Sequence, residues 1–491
     1  MSSGIKSIFG AQDMTTGSPV RPVLLFTVPL LIGNVLQLLY STVDSIIVGQ
    51  FCGPNGLAAI GVSMHILFLF AVFFMAIGIG VGVLVSQFFG ARDKDNLSKA
   101  VGTALVLIFI ASIIATVLGL SVSGWIFRIT NCPPEIYDDA MSYIRIIFIG
   151  FIGVAFYNVL SGVLRGIGNS TFPLLVLIAT TILNIILDIW FVASPEQLPF
   201  GLGLGVAGAA WATIISQAVS ALVCFIKILR MKDLLTLNRQ TIRPTKKIMK
   251  LIVRIGLPSG IQHMVMAMSF MIVQSFINAV KIPFNGILDS AVFVAAHTAV
   301  MRIDQFAMMP SQTFNMTAST FAGQNIGAGK TDRVMQGFKL ILLMALAAAA
   351  LVVVGIVLFS SQLLGMFIND PNPARTALIT DLGSRVIRIM IVGYFLMAAS
   401  FVVGGVLRGA GDTMTQLVIS IVTNVAFRIP LTIIMVNGTK SAEYPGGKPE
   451  AIYISMIISF ALNLLVNCIY FSLGKWKTKS VIKRPPIEDM G

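Results

Sequence analysis

Charge is what this chain has least of. Only 11% of its 491 residues are Asp, Glu, Lys or Arg, against roughly 25% in soluble domains. An ordinary soluble globular protein is therefore excluded. Histidine is nearly absent too: His65, His263 and His297 are the only three, and no HExxH or zinc-ligand spacing occurs. The four cysteines, Cys52, Cys132, Cys224 and Cys468, are scattered without metal or redox spacing. Cys52 and Cys132 both fall in expected external loops, where spacing alone does not establish a disulfide. A membrane-embedded acyltransferase or protease needs His, Cys or Ser groups gathered at one depth, and three isolated histidines do not supply them. The reading is that of a non-enzyme with no organic cofactor. The first twenty residues also lack the apolar core of a cleaved signal peptide.

Apolar residues fill the space that charge leaves. They make up 56% of the chain, and the mean hydropathy is +0.91. A span needs about 20 apolar residues. Twelve such stretches are predicted, at 22–49, 57–86, 99–124, 138–160, 171–193, 205–229, 248–280, 290–318, 336–360, 378–404, 413–436 and 451–474. Their near-continuous apolar character argues for helices, because barrel strands alternate with a period of two. Pro29, Pro258 and Pro310 sit inside spans, where they free backbone carbonyls and favour bends.

The basic residues set the orientation. The segment between spans six and seven carries Lys227, Arg230, Lys232, Arg239, Arg243, Lys246, Lys247, Lys250 and Arg254. The C-terminal tail adds Lys475, Lys477, Lys479, Lys483 and Arg484. In a twelve-span scheme all of these fall on one side, whereas 50–56 and 194–204 hold no basic residue. Both termini are therefore expected in the cytoplasm, with the chain in the cell membrane. The net charge of +14 is accounted for by topology and by anionic lipid heads, not by nucleic acid. The bilayer is the expected partner, and a monomer is the expected state.

The chain repeats itself. GVLRGIGNSTF at 162–172 matches GVLRGAGDTMT at 405–415, SQFFGARDKD at 86–95 resembles GQNIGAGKTD at 323–332, and YIRIIFIGF at 143–151 resembles VIRIMIVGY at 386–394. The offsets are 243, 237 and 243, in one order. Each half holds six spans, so both halves enter the membrane from the same side, as parallel repeats. The predicted divisions are a cytoplasmic segment at 1–21, an N-lobe at 22–229, a basic linker at 230–247, a C-lobe at 248–474 and a basic tail at 475–491. Arg165 and Arg408 stand in the Gly-flanked turns of the paired motif, where structural or lipid-head contact is expected.

Two carboxylates lie deep in the first half. Asp44 stands in LLIGNVLQLLYSTVDSIIVGQF (30–51), with Tyr40 and Ser41 one helical turn away and Gln37 two turns away. A charge at bilayer depth costs roughly 2.5–3.5 kcal/mol and is kept where it faces a protein interior or a wet cavity. Asp188 lies in NIILDIW on span five, four residues after Asn184 and on the same face. Each acid sits about five residues before the external end of its span. A shared pocket at one depth is expected, suited either to a shared proton or to Na⁺ held by Asp44 and Asp188.

With these residues in place, the chain resembles the multidrug and toxic compound extrusion (MATE) transporters over essentially its whole length. The twelve spans, the paired GVLRGxG turns and GAAWAT at 208–213 carry the likeness. The resemblance implies an all-α membrane protein, with two six-helix lobes in a V and rocking-type export of small organic compounds, amphipathic and cationic, in exchange for H⁺ or Na⁺. It places Asp44, Asp188, Asn184 and Thr213 in the cation site of the archaeal and DinF-like branch. It places Gln37, Tyr40 and Asn158 along that branch's drug cavity. Where the NorM-like branch has C-lobe acids, this chain has Met266 and Met397, so coupling is expected in the N-lobe, with Met266 lining the cargo cavity. Arg428 stands at the repeat equivalent of Asp188, and Asn424 at that of Asn184. A structural ion pair of Asp304 with Arg428 or Arg302 is expected. The same superfamily implies an alternative, a flippase for lipid or lipid-linked oligosaccharide, whose cavity would be lined by basic residues.

Overall fold

A chain crossing lipid must pair its backbone polar groups within itself, which leaves helices as the economical solution for apolar runs of this length. The computed structural model describes residues 10–482 apart from 285 and 369; residues 1–9, and Lys483 and Arg484 of the tail, lie outside the described residues. In order, the helices are α1 (Val20–Gly90), α2 (Lys94–Ile129), α3 (Pro134–Ile149), α4 (Phe151–Gly166), α5 (Thr171–Val192), α6 (Gly205–Leu229) and α7 (Lys246–Ala279). A short hairpin comes next, β1 (Ile282–Phe284) with β2 (Ile287–Asp289). Then come α8 (Ala291–Gly327), α9 (Thr331–Gly365), α10 (Pro373–Gly409), α11 (Thr413–Ile421), a π-helical turn (Val422–Phe427), α12 (Arg428–Gly438) and α13 (Pro449–Ser472).

Among the described residues, ten helices are long and apolar enough to cross a membrane, or eleven with the bent α3–α4 pair counted as one span. The remaining expected span, α8, forms a helix of 37 residues, but Arg302 and Asp304 lower its apolar character. Spans one and two are the two limbs of the 71-residue α1, which meet at a kink at Gly53 (φ 72°, ψ −169°), inside the expected gap 50–56. Only glycine takes that conformation cheaply, and Pro54 then opens the second limb with φ already fixed. The fourth span bends by 51° at Gly150. A side chain there would meet Ile214 of α6 at 2.3 Å, so the bend lets α6 press close.

The described chain forms two compact units. One comprises residues 10–260, 323–329 and 481–482, and the other 261–322 and 330–480. The division falls after Gly260, inside α7, and not in the basic segment 230–247. Reciprocal glycine contacts tie the start of α7 to the first unit. A Cβ on Gly80 would lie 2.4 Å from the Ile252 carbonyl, and one on Gly256 would lie 2.3 Å from that of Ala76. Helices in lipid associate chiefly by such close packing of small residues. The basic segment itself folds over α2: the Thr236 amide donates to Ser98 Oγ at 3.0 Å and the Thr245 amide to Thr103 Oγ1 at 3.2 Å.

A second reciprocal contact joins two of the repeated motifs. A Cβ on Gly90 would stand 1.9 Å from the carbonyl oxygen of Gln324, and one on Gly327 would stand 2.0 Å from that of Gln87. The side chains around the crossing hold the segments at Met14 and Val481. Gln324 Oε1 accepts from the Met14 amide at 2.9 Å, and its Nε2 donates to the Gly166 carbonyl at 3.1 Å. Gln87 Oε1 accepts from the Val481 amide at 3.0 Å. Gly90→Ala should therefore cost about 1–3 kcal/mol through overpacking against backbone. Gly355→Ala in α9 meets nothing within 4 Å and should be neutral or stabilising by up to about 1 kcal/mol. Thermal melts of the two purified proteins in detergent check the contrast; equal melting temperatures would refute it.

Candidate functional site

The register of α1 and α5 decides where their acids meet. Ser170 Oγ, just ahead of α5, donates to the Phe26 carbonyl of α1 at 2.7 Å. From that contact Asp44 lies eighteen residues up α1, and Asp188 lies eighteen residues up α5. Parallel helices rising equally per residue bring the two acids to one height. Their carboxyl groups are close enough to act electrostatically on each other. Asp44 is 6% exposed, Asp188 0% and Asn184 1%, so the pair is sealed inside the unit.

Helix α6 closes the site from the third side. Ser220 Oγ donates to Thr180 Oγ1 at 2.9 Å, which fixes an antiparallel register. One turn further along each helix, Asn184 of α5 faces the level of Ser216 and Gln217 of α6. One more turn brings Asp188 to the level of Thr213. The Tyr40 hydroxyl of α1 points toward Thr213 but completes no hydrogen bond of ordinary geometry. Tyr143 of α3, buried, stands near enough to act electrostatically with both carboxyl groups.

What distinguishes this place is its unmet polar atoms. Tyr40 Oη, Asp44 Oδ1, Thr181 Oγ1, both amide atoms of Asn184, both carboxyl oxygens of Asp188, Ser216 Oγ and Gln217 Oε1 are all buried without a partner. More than nine in ten buried polar groups in folded proteins are paired. A buried polar atom left without any partner costs about 1–3 kcal/mol, so this gathering of acceptors favours whatever donor or cation can reach it. The set is almost wholly oxygen, with two carboxyls and several neutral oxygens, and hard oxygen donors suit a proton, water or a small hard cation.

The other predicted residues divide. Asn158 sends Nδ2 to the Val154 carbonyl of its own helix at 2.8 Å, and Gln37 is exposed; no described contact joins either to the acid pair. Met266 lies in the second unit, where it lines a cavity of about 70 Å³ together with Met397, His263 and Arg408. The expected ion pair of Asp304 with Arg302 or Arg428 does not form among the described residues. Asp304 instead accepts a hydrogen bond from the Tyr394 hydroxyl. Arg302 is exposed, two residues from Asp304 and so on another face of α8. Arg428 is held between aromatic rings, 4.9 Å from Phe270 and 5.7 Å from Phe460, an arrangement that attracts a cation to the ring faces. Cys52 and Cys132 are free thiols. Tyr143, Thr181, Ser216 and Gln217 were not anticipated; the usable signal was that Ser216 and Gln217 lie three and four residues after Thr213 and share its face.

The MatE family profile matches residues 29–190 and 258–434. The chain belongs to the MatE family. It is thus a multi-pass membrane protein of a transporter family, not an enzyme. The "probable multidrug resistance protein YoeA" of Bacillus subtilis is 27% identical over 475 residues, covering 96% of this chain and 97% of that protein. Among solved structures, an outward-facing MATE family transporter of the MOP superfamily aligns with a TM-score of 0.81 at 22% identity, covering 96% of this chain and 98% of that one. A MOP superfamily transporter of Pyrococcus furiosus aligns at 0.82 and 22%, covering 97% of this chain and 99% of that one; its binding pocket is described as reversed in polarity, suggesting a different function. At these identities the structures establish a shared fold.

The orphaned atoms make a stability prediction that runs against ordinary core mutagenesis. Asn184→Leu removes two unpaired buried polar atoms and should leave stability unchanged or raise it by about 1–2 kcal/mol. Thermal melting in detergent measures this, and a marked destabilisation would mean that Asn184 is a packed structural amide.

Proposed function

We propose that this MatE family member is a multidrug exporter driven by antiport of a small cation, H⁺ or Na⁺, bound between Asp44 and Asp188. The observation that carries the reading is the facing of two buried carboxyls from α1 and α5 amid oxygens that lack partners. The similarity to a protein named as a probable multidrug resistance protein supports drug-like cargo; amphipathic, cationic organic compounds are the cargo that two carboxylates would suit. Asp44 and Asp188 hold the ion; Asn184 and Thr213 complete its oxygen shell; Tyr40 borders the shell toward the cargo path with Gln37 and Asn158. The reading includes the cell membrane as location, both termini in the cytoplasm and a monomeric carrier.

The physics of exchange is charge compensation. Two close carboxyl groups repel when both are charged, and a proton or Na⁺ between them relieves that repulsion. A cationic cargo relieves it as well. Ion and cargo therefore compete for one electrostatic deficit, and loading the ion from outside expels the cargo. The ion moves the transport equilibrium only because it binds the outward and inward states unequally. Pro29, fifteen residues before Asp44 on α1, removes a backbone hydrogen bond where such a helix can bend.

A second reading, lipid flipping, draws on one observation, the basic residue Arg408 lining the cavity of the second unit. Proteoliposomes separate the two. Efflux of ethidium under an imposed pH or Na⁺ gradient, each applied alone, should proceed with the native protein. It should fall at least about tenfold, the equivalent of 1.4 kcal/mol, in Asp44→Asn and in Asp188→Asn. Native-rate efflux by either variant would sink the assignment. Movement of fluorescent lipid without dye efflux would favour the flippase.

A further inference from the structure

We propose that the cavity of the second unit is an oxyanion-binding site anchored by Arg408, which takes a carboxylate or phosphate group. The cavity, about 70 Å³, lies among α7, α8, α10, the α11 segment and α13. That is room for several water molecules or for one small oxyanion. Arg408 enters it from the last turn of α10. Its Nη1 donates to Asn315 Oδ1 at 2.8 Å, while Nε is buried and has no partner. No described salt bridge includes Arg408, and none of the described residues lining the cavity is a carboxylate. A guanidinium is charged at all ordinary pH, so this cavity holds a fixed positive charge without a counter-ion from the protein.

The rest of the wall suits an anion better than a cation. Asn315 is already oriented by two bonds: it accepts from Arg408 and donates from Nδ2 to the Phe401 carbonyl at 2.6 Å. Its amide cannot turn to neutralise the guanidinium further. Ser400 donates to Asn463 Oδ1 at 2.6 Å and Gln416 Nε2 to Asn467 Oδ1 at 2.7 Å, so these groups form a fixed polar lining. A planar guanidinium matches carboxylate and phosphate oxygens in geometry as well as charge, and the Nε–H of Arg408 has no partner. Gly404 keeps the space open: a Cβ there would already stand 3.0 Å from Gln416 Oε1. The site is independent of the acid pair of the first unit, and either can fail without the other.

Full-length protein in dodecyl maltoside is melted at constant ionic strength, with chloride exchanged stepwise for acetate or for inorganic phosphate. Phosphate also stabilises proteins by exclusion from their surface, so the decisive quantity is the difference between proteins. The native chain should show a saturable rise in melting temperature. In Arg408→Gln and in Gly404→Val, which fills the cavity without touching the charge, the rise should fall at least about threefold. A parallel titration with phosphatidylglycerol against phosphatidylcholine assigns the source. A rise with phosphatidylglycerol alone, lost in both variants, identifies a lipid headgroup; a rise with the free ions identifies a soluble oxyanion. Equal rises in the native protein and both variants, or no saturable rise with any probe, overturn the proposal. If Arg408→Gln does not fold, Gly404→Val decides the matter.

Discussion

Asp44 and Asp188 can face each other only because α1 and α5 run in one register, pinned where Ser170 bonds to the Phe26 carbonyl. A slip of one residue would turn Asp188 by about 100° and point a carboxyl into packed apolar side chains. The geometry is costly to hold. Neither Asp188 oxygen has a completed hydrogen bond among the described residues, and Asn184 beside it is equally unserved. The surrounding unit must therefore supply enough packing to keep these groups together. That packing comes from the helices of the first unit, whose core residues run from Val48 to Ile255.

Much of it comes from small residues rather than large ones. Lipid tails are as apolar as leucine, so burying leucine between helices gains little over leaving it in the bilayer. Close backbone approach gains dispersion contacts on both sides instead. The reciprocal crossings Gly80 with Gly256 and Gly90 with Gly327 are of this kind. At the second crossing the repeat meets itself, because SQFFGARDKD and GQNIGAGKTD contribute Gln87 and Gln324 in equivalent roles. Each glutamine fixes a distant segment, that of Met14 or that of Val481. The Gly168 turn joins the same arrangement: its φ of +83° requires glycine, and a Cβ would stand 2.4 Å from the Gln12 carbonyl.

Some of this could be read from the sequence and some could not, for identifiable reasons. Most of the helical spans, and the common height of Asp44 and Asp188, were legible because both depend on counting along a helix with a fixed rise. Asp44 and Asp188 lie equally far from their span ends, and that spacing sets their depth. Ser216, Gln217 and Tyr143 were not legible, because which way they face depends on the rotation of α6 and α3. That rotation is set by contacts such as Ser220 with Thr180, which no loop length reveals. The expected pairing of Asp304 with an arginine failed on a different ground. Opposite charges buried in one repeat suggest a pair, yet a tyrosine hydroxyl and two phenyl faces served the two groups separately. Aromatic residues in apolar spans look like packing, and their capacity to stand in for a counter-ion is invisible until the rings are placed.

The fifth span of each repeat shows how one scaffold carries opposite charges. In the first unit Asn184 and Asp188 stand on an unbroken helix. In the second, Asn424 and Arg428 keep the same spacing of four, but the turn Val422–Phe427 is π-helical. Such a turn widens the helix and rotates the residues beyond it. The Asn424 carbonyl accepts instead from Ser269 Oγ of α7 at 2.7 Å. The rotated Arg428 then comes to lie between Phe270 and Phe460, where its charge meets ring faces. An acid in that position would be repelled by the same rings, whose faces are negative. The change from Asp to Arg, the extra backbone width and the flanking phenylalanines are thus one coordinated feature. It accounts for the basic character of the second unit's interior at the position where the first unit's is acidic.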